Sequence, residues 1–502
     1  MDRPPVSVSA LALVVAAGTV LPLVYLGIRI ADLGPAGIEA IVVRPRTAEL
    51  LVTTGLVIGG VAVLTLLLGI TTATIISRVR LPAPGLWWIV LALPVAVPSY
   101  IAAFALVALR PGTQGILPTI LVIALATYPY VTLPTLAAYR RADLAGADVA
   151  RSLGASAPRA FMTVTLPQVL PAALAGCLLC VLYALSDYAA PALLRTQTLT
   201  VGVYGLFTGS LNRANAAALA LVLLVVALLF VAAEQAARRR AGRGTSTIVT
   251  RRPPPLELGP VRTAALGAVV LAPVVLVVVV PVVTLLGRLA RGTRYAQDLG
   301  DLASAAVTTA ALGGVTAVLA TLAALPVAAL GARFRGTWIR VTEGVSFLGQ
   351  ALPSVIIALA VVFMSLRLTP ALYQTVPILL LAYVIVFLPK SIGSSRAALT
   401  QVSPQLPEVA RTLGRRRSLA WWTVTARHAW PGIGAGAVFV MAAAMKEVPM
   451  TLMIRPIGVD TLATELWTKT SIGALGAAAP AALALIAVGL APAWLLSRAA
   501  RS

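Results

Sequence analysis

DVARSLG at residues 148–154 returns as EVARTLG at residues 408–414. The copies stand 260 residues apart, and the same spacing relates Pro171 to Pro431, Gly176 to Gly436 and Asp187 to Glu447. Each copy lies between long apolar segments. A repeat of that length in such a chain implies two homologous membrane-embedded halves.

The chain is 59% hydrophobic and 11% charged, with a mean hydropathy of +0.96. Most of it therefore cannot be the surface of a soluble protein. Apolar stretches of the roughly 20 residues needed to cross hydrocarbon recur at about 8–30, 50–76, 86–109, 116–138, 168–186, 215–236, 262–287, 303–331, 341–366, 373–395, 431–453 and 478–497. Lipid offers backbone groups no partners, so these spans are expected to be helices. The run from Val8 to Ile28 exceeds a usual signal-peptide core and reads as a retained first span. The expected fold is an all-α polytopic membrane protein of about twelve transmembrane helices in two halves of six.

A net charge of +23 invites a nucleic-acid reading. The basic clusters instead fall in alternate loops: Arg78 and Arg80; Arg140, Arg141, Arg151 and Arg159; Arg238, Arg239, Arg240 and Arg243; Arg415, Arg416 and Arg417. That is the positive-inside pattern, and it places both termini and both repeated loops in the cytoplasm. The partner that this charge implies is the lipid bilayer, not nucleic acid. Residues 1–237 and 261–502 read as two transmembrane domains, with 238–260 as a cytoplasmic linker closed by Pro253, Pro254 and Pro255. With an even number of spans each, the halves are parallel repeats.

Within each repeated loop an acid, Asp148 or Glu408, precedes Val149-Ala150 or Val409-Ala410. Leu153 and Leu413 follow their valines at i+4, which puts each pair on one face of a short helix. Gly154 and Gly414 suit a left-handed stop after it. A second helical piece, through Phe161 or Trp421–Trp422, leads back to the membrane, and Ser403 and Pro404 suit the start of the second elbow. The apolar face of such an elbow either packs on the protein's own helix ends or docks a partner.

These elbows resemble the EAA loops of ABC-importer permeases. Asp148-Val149-Ala150 with Gly154 and Glu408-Val409-Ala410 with Gly414 match the docking part of the motif. Thr165-Leu166-Pro167 completes the first copy, whereas Ala426-Arg427 replaces the Leu-Pro of the second. The first loop is also about five residues shorter upstream, measured from Pro134 and Pro389. LALPVAVPSYIAAFAL at 91–106, SDYAAPALLRTQTLTVGVY at 186–204 and KEVPMTLMIRPIGVDTLATELW at 446–467 are similar to the fused permeases of ferric-iron importers.

That resemblance implies the type I ABC importer transmembrane fold in a bacterial inner (plasma) membrane. It implies two copies of an ABC ATPase as partners, which would carry ATP and Mg, and an extracytoplasmic solute-binding protein. The ATPase-coupling residues would be Asp148, Val149, Ala150, Leu153, Gly154, Glu408, Val409, Ala410, Leu413 and Gly414. Ferric iron is the implied solute; thiamine, phosphonate or another small solute would use the same machinery. An ion-coupled secondary transporter is the alternative, and it leaves the paired elbows unexplained.

No cofactor and no catalytic role are expected in this chain. No G-x-x-x-x-G-K-[ST] occurs, and the only lysines are Lys390, Lys446 and Lys469. Cys177 and Cys180, one turn apart in an apolar span with a single distant His428, read as packing residues. Ionisable groups at membrane depth are candidates for the pathway. Asp187 and Glu447 are equivalent in the repeat, and carboxylates, with Tyr188 as a further oxygen, suit a hard trivalent cation. The competing reading keeps Asp187 at the outer interface and pairs Glu447 with Lys446 or Arg455. Pro94, Pro98, Pro353 and Pro370 are expected to kink spans, and Trp87, Trp88, Trp421 and Trp422 to anchor at the interface.

Overall fold

A computed structural model describes residues 4–140, 142, 145–209, 214–243, 256–291, 299–403 and 405–499. Most of the expected linker, with Pro253, Pro254 and Pro255, lies outside the described residues, as do Arg141 and Pro404. The helix before the linker runs on through Arg243, past the expected boundary at Arg238. Among the described residues there is no strand, only a bridge between Val79 and Leu256.

Among the described residues, seven helices are long and apolar enough to cross a membrane: Val6–Ala31, Pro45–Arg78, Ala157–Ser186, Ala214–Ala233, Pro260–Ala290, Leu299–Arg333 and Val376–Gln401. Two bent pairs, Pro84–Ala96 with Ser99–Leu109 and Ile116–Thr127 with Pro129–Tyr139, add two more. Leu199–Gly209, Ser354–Leu368 and Leu475–Gly489 are shorter apolar helices.

Two of the expected spans are broken at matching places. The stretch 86–109 turns by 78° between its two helices. Val97 there is extended, at φ −88° and ψ 119°, and Pro98 starts the next helix. In 341–366 Leu352 is extended, at φ −107° and ψ 133°, again just before a proline, Pro353. Proline has no N–H for the helical ladder and pushes the preceding residue out of the α region. Pro94 is accommodated inside its helix, and Pro370 opens a short turn after the span.

The chain forms two compact units that do not follow its halves. One comprises 44–202 and 222–291; the other comprises 1–43, 203–221 and 292–502. In the first, Pro45–Arg78, Pro129–Tyr139 and Leu166–Ser186 pack mutually, and Pro260–Ala290 lies against the broken span 84–109. In the second, Leu299–Arg333, Val376–Gln401 and Arg427–Ala444 form the corresponding trio, and Val6–Ala31 packs on it and on Ser354–Leu368. The leading helix of each half is thus exchanged.

Trp87 is a core residue rather than an interfacial anchor. It is 9% exposed beside Tyr128 and Tyr139, and its Nε1 donates to Pro82 O at 2.8 Å. Trp88 lies under the Arg140 guanidinium, 4.4 Å from its ring centre. Trp422, 64% exposed, meets Trp421 edge-on.

Gly176 and Gly436 mark close helix crossings. A Cβ on Gly176 would overlap the Tyr130 carbonyl oxygen and lie 2.8 Å from Val131 Cα; on Gly436 it would overlap Ser394 Oγ. The first obstacle is backbone; in the second the Ser394 Oγ can rotate away, but its Cβ, at 2.5 Å, cannot. Gly176→Ala and Gly436→Ala are therefore each expected to destabilise by about 1–3 kcal/mol. Thermal melting in detergent checks this, and a wild-type melting temperature in either variant would refute it.

Candidate functional site

The two elbows are built alike. The helix Ala145–Ser152 ends at Gly154, with φ +92°, and Gln405–Thr412 ends at Gly414, with φ +85°. The Gly154 N–H donates to Arg151 O and the Ala155 N–H to Ala150 O, both at 3.0 Å. In the second elbow Gly414 donates to Arg411 O and Arg415 to Ala410 O, at 3.0 and 3.1 Å. This pair of bonds is the Schellman motif, which needs a left-handed residue and favours glycine. A second short helix follows in each, then a π-helical turn, Phe161–Thr165 or Trp421–Ala426. The turn forms in both copies, so losing Leu-Pro at 426–427 does not remove it.

The elbow faces are apolar and open. Val149 and Leu153 are 56% and 82% exposed, and Val409 and Leu413 are 55% and 79% exposed. Ala147 and Ala160 in one copy, and Ala410 and Ala420 in the other, are buried and fix the elbow to its own unit. Asp148 and Glu408 are exposed on the same short helices. Burying an exposed leucine stabilises by about 1.5–3 kcal/mol, so covering either Val-Leu pair would be favourable.

Asp187 ends the span that returns from the first elbow. Its Oδ1 accepts from Ala190 N at 3.3 Å, and its Oδ2 accepts from Ser99 Oγ at 2.5 Å. Tyr183 donates to the same Ser99 oxygen at 3.1 Å. The carboxylate thus holds the start of the short helix Ala189–Leu193 and ties it to the break at Pro98. Glu447 does the equivalent in its unit: Oε1 accepts from Met450 N at 3.3 Å, just inside Pro449–Ile454. Both acids sit where a span ends and a short helix restarts, and both are partly exposed. Tyr188 is 4% exposed.

The surroundings of the two acids differ. Lys390 replaces Thr135, counted from Pro389 and Pro134, and its ammonium lies 4.9 Å from the Phe387 ring centre and 5.9 Å from that of Phe439. It is within electrostatic reach of both Glu447 and Lys446. Tyr383 shares a 2.5 Å hydrogen bond with Thr451, whereas the hydroxyl of its equivalent, Tyr128, is buried without a partner among the described residues. Pro191 stands where Thr451 would be. The ion pair of Arg455 is with Asp460. Lys390 is a residue that the repeat alone does not single out, although a lysine in the apolar run 376–401 is signal enough.

Cys177 and Cys180 are buried thiols, with Cys180 donating to Thr127 O at 3.3 Å. Among the described residues no cluster of His, Cys, Asp and Glu could hold a metal ion. The chain carries two exposed apolar elbow faces and, in each unit, a half-buried acid at a helix restart.

The family described as binding-protein-dependent transport system inner membrane component matches residues 65–242 and 318–501, one elbow in each segment. The chain belongs to this family. It is a membrane permease subunit of an ABC transport system, not a catalytic enzyme. The permease is also similar to the Fe(3+)-transport system permease protein FbpB 2 of Haemophilus influenzae (strain ATCC 51907 / DSM 11121 / KW20 / Rd), with 30% identity over 504 residues and 99% of each chain covered. That coverage includes both elbows, both acids and the broken spans.

Proposed function

We propose that the permease forms the pathway for ferric iron, delivered by a solute-binding protein and driven by two ABC ATPase subunits docked on the elbows. The observation that carries the docking role is the matched pair of exposed Val-Leu faces beside Gly154 and Gly414. Full-length similarity to a ferric-iron permease supports the solute. Both termini and the elbows lie in the cytoplasm in this reading, as the arginine clusters require.

ATP and Mg belong to the ATPases. Their closure on ATP moves the elbows, and each elbow leads straight into the span that ends at Asp187 or Glu447. Coupling follows only if ATP and the loaded binding protein each favour one of two permease states. Asp187 and Glu447 supply hard oxygen to the solute in this scheme.

A second solute reading has its own support: Lys390 and Lys446 beside Glu447 favour an anion such as a phosphonate. Proteoliposomes holding the permease, its ATPase and its binding protein decide between them. ATP-dependent accumulation of radiolabelled ferric iron, undiminished by excess thiamine or phosphonate, is the expected result. Accumulation of phosphonate or thiamine in place of iron would overturn the solute assignment and leave the family intact.

A further inference from the structure

Beneath the first elbow lies a cavity of about 340 Å³, in the size range of small-ligand sites. Thr74 and Arg78 line it from the end of the helix Pro45–Arg78, Arg151 and Phe161 from the elbow, and Tyr139 and Leu256 from either side. The side chains of Arg78 and Arg151 make no ion pair or hydrogen bond among the described residues. Thr74 Oγ1 donates to Ile70 O at 2.7 Å, so the 2.8 Å contact between Thr74 and Tyr139 is donated by the tyrosine. The charged donors left for a ligand are the two guanidinium groups, each a planar fork suited to phosphate oxygens.

The carboxylate beside Leu256 does not compensate them. Glu257, next to Leu256, is paired with Arg80 at 2.5 Å. Leu256 itself is fixed by backbone bonds, donating to Arg78 O at 2.7 Å and accepting from Arg80 N at 3.2 Å. Two unpaired cations facing a cavity with apolar walls call for an anion that carries apolar substance with it.

The second elbow spends the same arginine internally. Arg333 ends its helix as Arg78 does, and it donates to Thr425 Oγ1 at 3.0 Å. Thr165, the repeat equivalent of Thr425, lines the cavity in the first copy. The vacant pair of forks is therefore a property of the first elbow.

We propose that this cavity is a binding site for a phosphate-ester anion, held by Arg78 and Arg151. Because its walls come from a span, the elbow and the end of the linker, an occupant fixes the angle of the first elbow. The same chemistry comes from an anionic phospholipid headgroup or from a soluble phosphate, and the site requires neither ferric iron nor any other solute.

The test uses the full chain in nanodiscs. In one arm, native mass spectrometry counts phosphatidylglycerol retained from mixed phosphatidylcholine–phosphatidylglycerol bilayers. In the other, glycerol phosphate is titrated calorimetrically into chains in phosphatidylcholine alone. Arg151→Gln, at an exposed elbow position, and Arg78→Gln are each expected to weaken whichever ligand binds by about tenfold, through the loss of a charge-assisted hydrogen bond. Arg340→Gln, exposed in the other unit, serves as the control and is expected to change nothing. Retained lipid identifies a headgroup site, and bound glycerol phosphate a soluble one. Wild-type binding in the Arg151→Gln variant, or an equal loss in the Arg340→Gln variant, overturns the proposal.

Discussion

Gly154→Val combined with Gly414→Val is expected to abolish ATP-driven uptake and to lower co-purification of the ATPase roughly ten- to hundredfold. The permease itself should melt within a few degrees of wild type. Both glycines have φ near +90°, where a side chain is strained, yet an added Cβ at either meets nothing within 4 Å. The substitution therefore acts on the backbone and leaves packing alone. A left-handed L-residue costs about 1–2 kcal/mol, and β-branching makes that position worse. Each elbow escapes the strain by abandoning its two Schellman bonds, which turns Val149 and Leu153, or Val409 and Leu413, away from the docking orientation. Since about 1.4 kcal/mol is a factor of ten in binding, two strained elbows give the stated loss. Gly434→Ala is the control, because that glycine is helical and its Cβ also meets nothing within 4 Å; it should be neutral. Full ATPase retention in the double variant would show that the elbows are not the docking faces.

The elbows were legible in the sequence because a repeat carries its own internal comparison. Helix, glycine stop and exposed apolar pair all follow from seven residues read twice. The spans were legible from hydropathy, and the breaks at Val97-Pro98 and Leu352-Pro353 from proline. The exchange of leading helices was not legible. Val6–Ala31 and Pro260–Ala290 are uniformly apolar, and lipid tails are as apolar as leucine, so hydropathy says nothing about which neighbour a span chooses. The contribution of Asp187 and Glu447 was half legible. The repeat paired them, but their capping bonds depend on short helices that restart two residues on, hidden inside what reads as continuous apolar sequence. The same blindness applied to Trp87, since a Trp-Trp pair opening a span looks alike whether it faces lipid or the core.

Removing charge at the two restarts separates their two contributions. Asp187→Asn with Glu447→Gln is expected to reduce uptake by at least about tenfold, with assembly and melting temperature unchanged. An amide oxygen still accepts from Ala190 N or Met450 N, so both short helices keep their start. The amide introduced in place of the Asp187 carboxylate can donate to Ser99 Oγ, whose two lone pairs also accommodate the Tyr183 hydroxyl. What disappears is negative charge, and its loss is unequal between the units. Around Glu447 it removes the charge that opposes Lys390, whereas among the described residues no cation is hydrogen-bonded or paired to Asp187. Glu447→Gln alone should therefore impair uptake more than Asp187→Asn alone, and adding Lys390→Gln to Glu447→Gln should restore part of it. Asp187→Ala, which deletes the cap as well, should lower the melting temperature where Asp187→Asn does not. Wild-type transport by the double amide variant would reduce both acids to structural caps, and the pathway would have to be sought elsewhere along the spans.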